Sequence, residues 1–158
     1  MATLLIEQAL VSRLKSDATL ATLLGATAAD PHIHPSVMVQ QEALPVIVYQ
    51  KISDVPDYVM GGQSGLSVTR FQITVWTGMD PATSGGYLQA CAITDRVRMI
   101  LSGWHGTVTI GADSIDVNYV TLDNQIDNYD PEAGRGLAMQ ARISDYLITY
   151  KQTIPTFS

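Results

Sequence analysis

Hydrophobic residues near the start of the chain recur at helical spacing. Leu4, Leu5, Ile6, Leu10, Val11 and Leu14 share one side, while Glu7, Gln8, Arg13 and Lys15 fall largely on the other. This predicts an amphipathic helix over 3–16. Asp17 then stands where an N-cap belongs. Leu20, Leu23 and Leu24 give a short second helix its apolar stripe, and Gly25 closes it. The segment ATAADPHIHPS predicts a loop in which two prolines bound a few extended residues, and 37–40 predict a short strand. From Pro45 the pattern becomes a near-continuous apolar run, which predicts a buried strand over 46–53. Residues 54–65, DVPDYVMGGQSG, keep neither period, and Gly61, Gly62 and Gly65 predict a flexible loop. Alternation returns in LSVTRFQITVWT, residues 66–77. Phe71, Ile73 and Val75 take one face, and Arg70, Gln72 and Thr74 the other. The two strands predict an antiparallel hairpin with an oversized connection.

The second half continues in the same way. Residues 84–101 predict the main helix, with Tyr87, Cys91, Thr94, Val97 and Leu101 as its stripe and Asp95, Arg96 and Arg98 outward. GTVTI and SIDVNYVTL predict two strands about a Gly-Ala-Asp turn. A second irregular stretch, DNQIDNYDPEAGRG, precedes a last strand over 138–150. The faces of that strand are Met139, Ala141, Ile143 and Leu147 against Gln140, Arg142, Tyr146, Ile148 and Tyr150. The order α-α-β-β-α-β-β-β implies one α+β domain over 1–158, a mainly antiparallel sheet with helices packed on one face. Phe71, Ile73, Val75, Ile47, Tyr87, Val97 and Leu101 form its expected core. Two long interaction loops, 54–65 and 122–137, have no evident internal purpose.

Composition sharpens this picture. With 158 residues the chain makes one domain with a real core. Hydrophobic residues are 46% and charged ones 15%, so part of the surface is expected to be covered by a partner. The net charge of −6 argues against a protein that grips nucleic acid, which needs clustered Lys and Arg to release counterions. The charge is also uneven. Between Met99 and Gly134 there is no Lys or Arg, while Asp113, Asp116, Asp123, Asp127, Asp130 and Glu132 all lie there. The longest apolar runs are strand-sized, so no membrane span is expected. Glu7 interrupts the N-terminal run and no basic residue precedes it, which predicts an intact helix rather than a signal peptide.

Candidate chemistry is sparse. His32 and His34 have the i, i+2 spacing of some metal sites, but no third ligand has a spacing argument, and exposed loop histidines are expected. GGQSG has Leu66 where a nucleophile elbow needs glycine. The Asp-rich DNQIDNYDPEAG lacks the glycine and ligand register of a calcium loop. Cys91, the only cysteine, is expected to be a small buried apolar residue. No phosphate-binding loop or dinucleotide fingerprint is present, so neither an enzyme nor a cofactor is expected. A small ligand-binding or enzyme domain would need a pocket with convergent polar groups, and the sequence offers no candidate cluster.

The layout resembles the tail completion, or tail terminator, family of long-tailed phages and gene-transfer particles. The resemblance runs through SDATLATLLG, HIHPSVMVQQEALPVIVYQKIS, GLSVTRFQITVWTGMDPATSGGYLQACAITDRVRMIL and NYDPEAGRGLAMQARISDYLITYK. It implies a structural virion protein at the tail–neck junction, made in the host cytoplasm. Such a protein forms a ring, typically of six copies, on the last ring of the tail tube. The implied partners are further copies of itself, the tail tube protein and a neck or head-completion protein. DNA passes through the lumen without specific binding. On this basis Asp57, Tyr58, Val59, Met60, Gln63, Asp127, Tyr129 and Arg135 are expected at subunit interfaces, and Asp123, Asp127, Asp130 and Glu132 as lumen acids. Another neck component, such as a head-completion or stopper protein, is the nearest alternative.

Overall fold

A computed structural model describes residues 5–36, 44–78, 85–130 and 139–152. Three helices form where the 3.6-residue spacing places them: α1 (Ile6–Lys15), α2 (Ala18–Leu24) and α3 (Gly85–Leu101). Helix α1 buries Ile6, Ala9, Leu10 and Leu14. Asp17 caps α2, its Oδ1 accepting the Leu20 N–H at 2.8 Å. Gly25 ends that helix with φ 64°, a conformation that costs any side chain with a Cβ. The Asp17 carboxylate also takes two hydrogen bonds from the Arg96 guanidinium, at 2.6 and 3.1 Å, which tie α2 to α3. Arg96 holds the Asp17 carboxyl below the usual carboxylate range, with the α2 amide adding to the effect. Arg13 joins α1 to the end of α3. Its guanidinium lies 5.5 Å over the Trp104 ring and donates to the Ile100 carbonyl.

Six strands build one sheet: β1 (Ile33–Pro35), β2 (Val46–Val59), β3 (Gly62–Gly78), β4 (Gly106–Ile110), β5 (Asp113–Asp130) and β6 (Met139–Lys151), in spatial order β1-β2-β3-β6-β5-β4. Every pairing is antiparallel except the short parallel one between β1 and β2. The helices cover one face, with α3 lying over β3 and β6. One row of this covered face runs Lys51–Phe71–Tyr146–Leu122, and the next includes Tyr49–Ile73–Ser144–Gln125. Phe71, Ile73, Val75, Ile47, Val97 and Leu101 are buried, as their periodicity predicts.

Several expectations need correcting. Tyr87 is not in the core but 40% exposed, at the rim of the α3 stripe. Residues 54–65 are not a loop: they continue β2 and β3 to a tight turn at Met60–Gly61, with Gly62 at φ 127°. The alternation fades there because both faces of the ribbon meet solvent, so no apolar face marks the period. Likewise 122–130 continues β5, and the rest of that predicted loop lies outside the described residues. The element order therefore gains a strand, β1, inside the stretch taken for a loop, while the strand expected at 37–40 also lies outside the described residues. His32 is buried rather than exposed, its Nδ1 2.8 Å from the Pro45 carbonyl oxygen. Cys91 is half-buried, with Arg142 donating to its Sγ.

Two stability outcomes follow from this packing. Phe71 has no exposed surface at the centre of the covered face. Phe71→Ala should therefore lower unfolding free energy by about 3–5 kcal/mol in a denaturant titration. Tyr146 is also fully buried, and its hydroxyl has no hydrogen-bond partner among the described residues. Burial pushes that hydroxyl up to about 12, so it stays protonated at ordinary pH. Tyr146→Phe should be neutral or stabilising by up to about 1 kcal/mol, since no bond is lost and one orphaned polar atom is removed. A loss of more than that would show that the hydroxyl has a partner.

Candidate assembly interface

The β6 pairing with β3 stops at Leu66 opposite Lys151, where the Gln152 N–H donates to the Gly65 carbonyl at 2.7 Å. The β2–β3 ladder does not stop there. It continues through Tyr58 opposite Gln63 to Val59 opposite Gly62. Residues 57–65 thus leave the sheet as a two-stranded arm. Register shifts between Lys51 and Ser53 and between Pro56 and Tyr58 bend and twist β2 as it goes. Tyr58 and Val59 are 65% and 59% exposed, Met60 is fully exposed, and Asp57 is exposed beside them. Gln63 donates to the Tyr58 hydroxyl at 3.3 Å, across the ribbon.

The base of the arm is braced. The Tyr150 hydroxyl donates to Asp54 Oδ2 at 2.7 Å, and Lys51 bridges Glu7 on α1 at 2.7 Å and Asp54 at 3.9 Å. Burial, then the Asp54 carboxylate, push the Tyr150 hydroxyl well above its ordinary range, so it remains a donor. An exposed tip on a fixed root is the result.

The face of the sheet turned away from the helices continues the arm's apolar character. Val55, Val68, Thr149 and Tyr119 form one row across β2, β3, β6 and β5, and all three apolar members are exposed. This row is not legible in the sequence as a unit, although Val68 shares the parity of Arg70 and Gln72 and so points away from Phe71.

The acidic residues are arranged differently from the arm. Asp123 sits in a β5 bulge and pairs with Arg70 at 2.7 Å, with Asp145 3.7 Å from the same guanidinium. Asp127 pairs with Arg142 at 3.5 Å, and Arg142 also reaches Gln125. Arg142 lies opposite Val75 on the helix side, whereas Arg70 lies on the open side, so the two acids are drawn to opposite faces. Tyr129 and Asp130 close β5 opposite Gln140 and Met139. That end lies by Gly78, and the path along β3 from there to the base of the arm at Leu66 is roughly 40 Å at strand rise. One chain therefore does not bring the arm and the 127–130 segment together. Glu132 and Arg135 lie outside the described residues. Among the described residues no three His, Cys, Asp or Glu side chains converge as metal ligands, and no helix is long and apolar enough to cross a membrane.

Comparison with known proteins gives this geometry a context. The chain is similar in fold to a chain from the virion of a native gene transfer agent particle. The TM-score is 0.61 at 16% identity, over 89% of this chain and 91% of that one. No curated protein matches it. The family model described as tail completion protein gp17 matches residues 8–144, from within α1 to the middle of β6. With most of its length inside that match, the chain belongs to the tail completion protein gp17 family.

Proposed function

We propose that copies of this chain close into a ring that caps the tail tube, ends its growth and presents a surface to the neck of the head, with the 57–65 arm as the contact between subunits or with the tube. The family makes the protein a structural virion component of the tail rather than an enzyme. The observation that carries the finer reading is the arm itself. It leaves the folded body, exposes Tyr58, Val59 and Met60, and adds nothing to the core. Aromatic residues and Met are favoured in interface cores, and a lone domain gains nothing by exposing them. The likeness to a virion chain of a gene transfer agent supports the same setting.

A repeated head-to-tail contact closes a ring when the rotation per copy divides a full turn, and six copies is the expected number. A pair between Asp57 of one copy and Arg135 of the next would add on the order of 1 kcal/mol or less at a wet rim, so the apolar residues dominate. Of the acidic set, Asp123 shares the open face and Asp127 does not. A lumen formed by the open face would carry Asp123 and Asp145 against the Arg70 they share, and the remaining negative charge would keep passing DNA from adsorbing.

Replacing Tyr58–Gln63 by a two-residue turn tests the assignment. Circular dichroism of the purified variant should be unchanged, with a thermal midpoint within about 3 °C of the parent. Particles assembled with the variant should show tubes of uncontrolled length and full heads without tails in electron micrographs. Tails of normal length on unjoined heads would point instead to a head-completion role. Normal particles would remove the arm from assembly altogether.

A further inference from the structure

The two edges of the sheet differ. The β1–β2 edge is obstructed along its whole length. β1 has three residues and ends in Pro35, and the last contact of this edge among the described residues is the Ser36 N–H on the Tyr49 carbonyl. Beyond that point the free edge of β2 carries Lys51, a register shift, Pro56 and a second register shift. Proline, lysine and bulges are the features that stop a sheet edge from recruiting another strand.

The opposite edge has none of them. β4 is Gly106–Ile110, GTVTI: four β-branched residues after a leading glycine, with no charge, no proline and no break in its register with β5. Among the described residues no strand lies beside its outer side. All but Val108 are exposed, and Ile110 is a large apolar side chain left 39% exposed at the end of the strand. A short edge with high β-propensity and no obstruction is a template for an added strand.

The charge around β4 selects the strand. Asp113 lies opposite Ile110 and Asp116 opposite Thr107, one acid toward each face of the sheet. Asp113 has no partner among the described residues. Asp116 accepts from Thr107 Oγ1 at 2.6 Å and meets only the exposed Lys151, at 4.0 Å. No Lys or Arg occurs between Met99 and Gly134. Pairing β4 with the β4 of a second copy would set two acidic hairpins side by side and is disfavoured by like charge. Pairing it with the second copy's β2 would meet the proline, lysine and bulges.

We propose that β4 is a β-augmentation site that accepts an extended segment of a different protein, five or so residues long, with β-branched residues alternating with Lys or Arg. The backbone of such a strand would extend the sheet by one, and its cations would reach Asp113 and Asp116 from either face. The site is separate from the arm and does not require that copies form a ring.

The test uses the full chain and two synthetic octapeptides, one alternating valine with lysine and one alternating valine with glutamate, followed by amide hydrogen exchange and NMR titration. The lysine peptide should protect amides within 106–110, and the glutamate peptide should not. Thr109→Lys, at an exposed edge position, should weaken the lysine peptide by about tenfold. Asp113→Asn, on the neighbouring strand and outside the pairing edge, should narrow the difference between the two peptides. It keeps the test sound if Thr109→Lys perturbs folding. No protection at 106–110 with either peptide, equal protection with both, or protection along 50–59 instead would overturn the proposal. So would a concentration-dependent dimer that protects 106–110 without any peptide, because the occupant would then be a second copy.

Discussion

Everything in this fold depends on the sheet having helices on only one face. The row through Phe71 and Tyr146 and the row through Ile73 must be covered, and α1, α2 and α3 supply the apolar surface that covers them. Register is fixed by that requirement, since a slip of one residue in β3 would turn Phe71 and Ile73 to water and bring Arg70 and Gln72 inward. Once the covered face is set, the arm end of the other face and the β4 edge are released from folding duties, whereas Val46, Val48, Met139 and Ala141 at the far end of that face are buried as well. The arm, the Val55–Val68–Tyr119 row and the β4 edge all lie in that released surface.

The polar contacts serve the same plan. Asp17 caps α2 and receives Arg96 from α3, while Arg13 reaches from α1 to the Ile100 carbonyl and the Trp104 ring. These bonds hold the three helices as one layer. Tyr150, Asp54, Lys51 and Glu7 then fasten that layer to the root of the arm. Each link is modest, and several of the charges are partly exposed, so their role is to fix geometry more than to add stability. A fixed root matters for a contact element, because a pre-oriented arm loses less entropy when it docks.

The sequence makes the covered face legible and the exposed surface much less so. Phe71, Ile73 and Val75 declare their strand by alternation, and the Asp17 and Gly25 caps bound α2, because burial and backbone geometry constrain those positions strongly. The 54–65 stretch looks like a loop because a ribbon wet on both sides has no apolar face to keep period, and its glycines and proline resemble loop chemistry. Tyr87 misleads for the converse reason: it lies at helical spacing from Cys91, yet at the rim of the stripe. β1 reads only as a few extended residues within a loop, because so short a stretch bounded by prolines carries no period. The arm residues Tyr58, Val59 and Met60 can be singled out from sequence as apolar side chains in a polar setting. The pairing of Asp123 with Arg70 and of Asp127 with Arg142 cannot, since it depends on strand neighbours far apart in the chain.

The proposed assembly requires the arm, a ribbon wet on both sides in the isolated chain, to be covered by neighbours in the assembled particle. Amide hydrogen exchange across 57–65, compared between the isolated protein and assembled particles, tests this most directly. The amides should exchange quickly in the isolated chain, while those around Phe71 and Tyr146 remain protected, and assembly should slow the arm markedly. Equal exchange in the two states, with the arm still fast in complete particles, would contradict it.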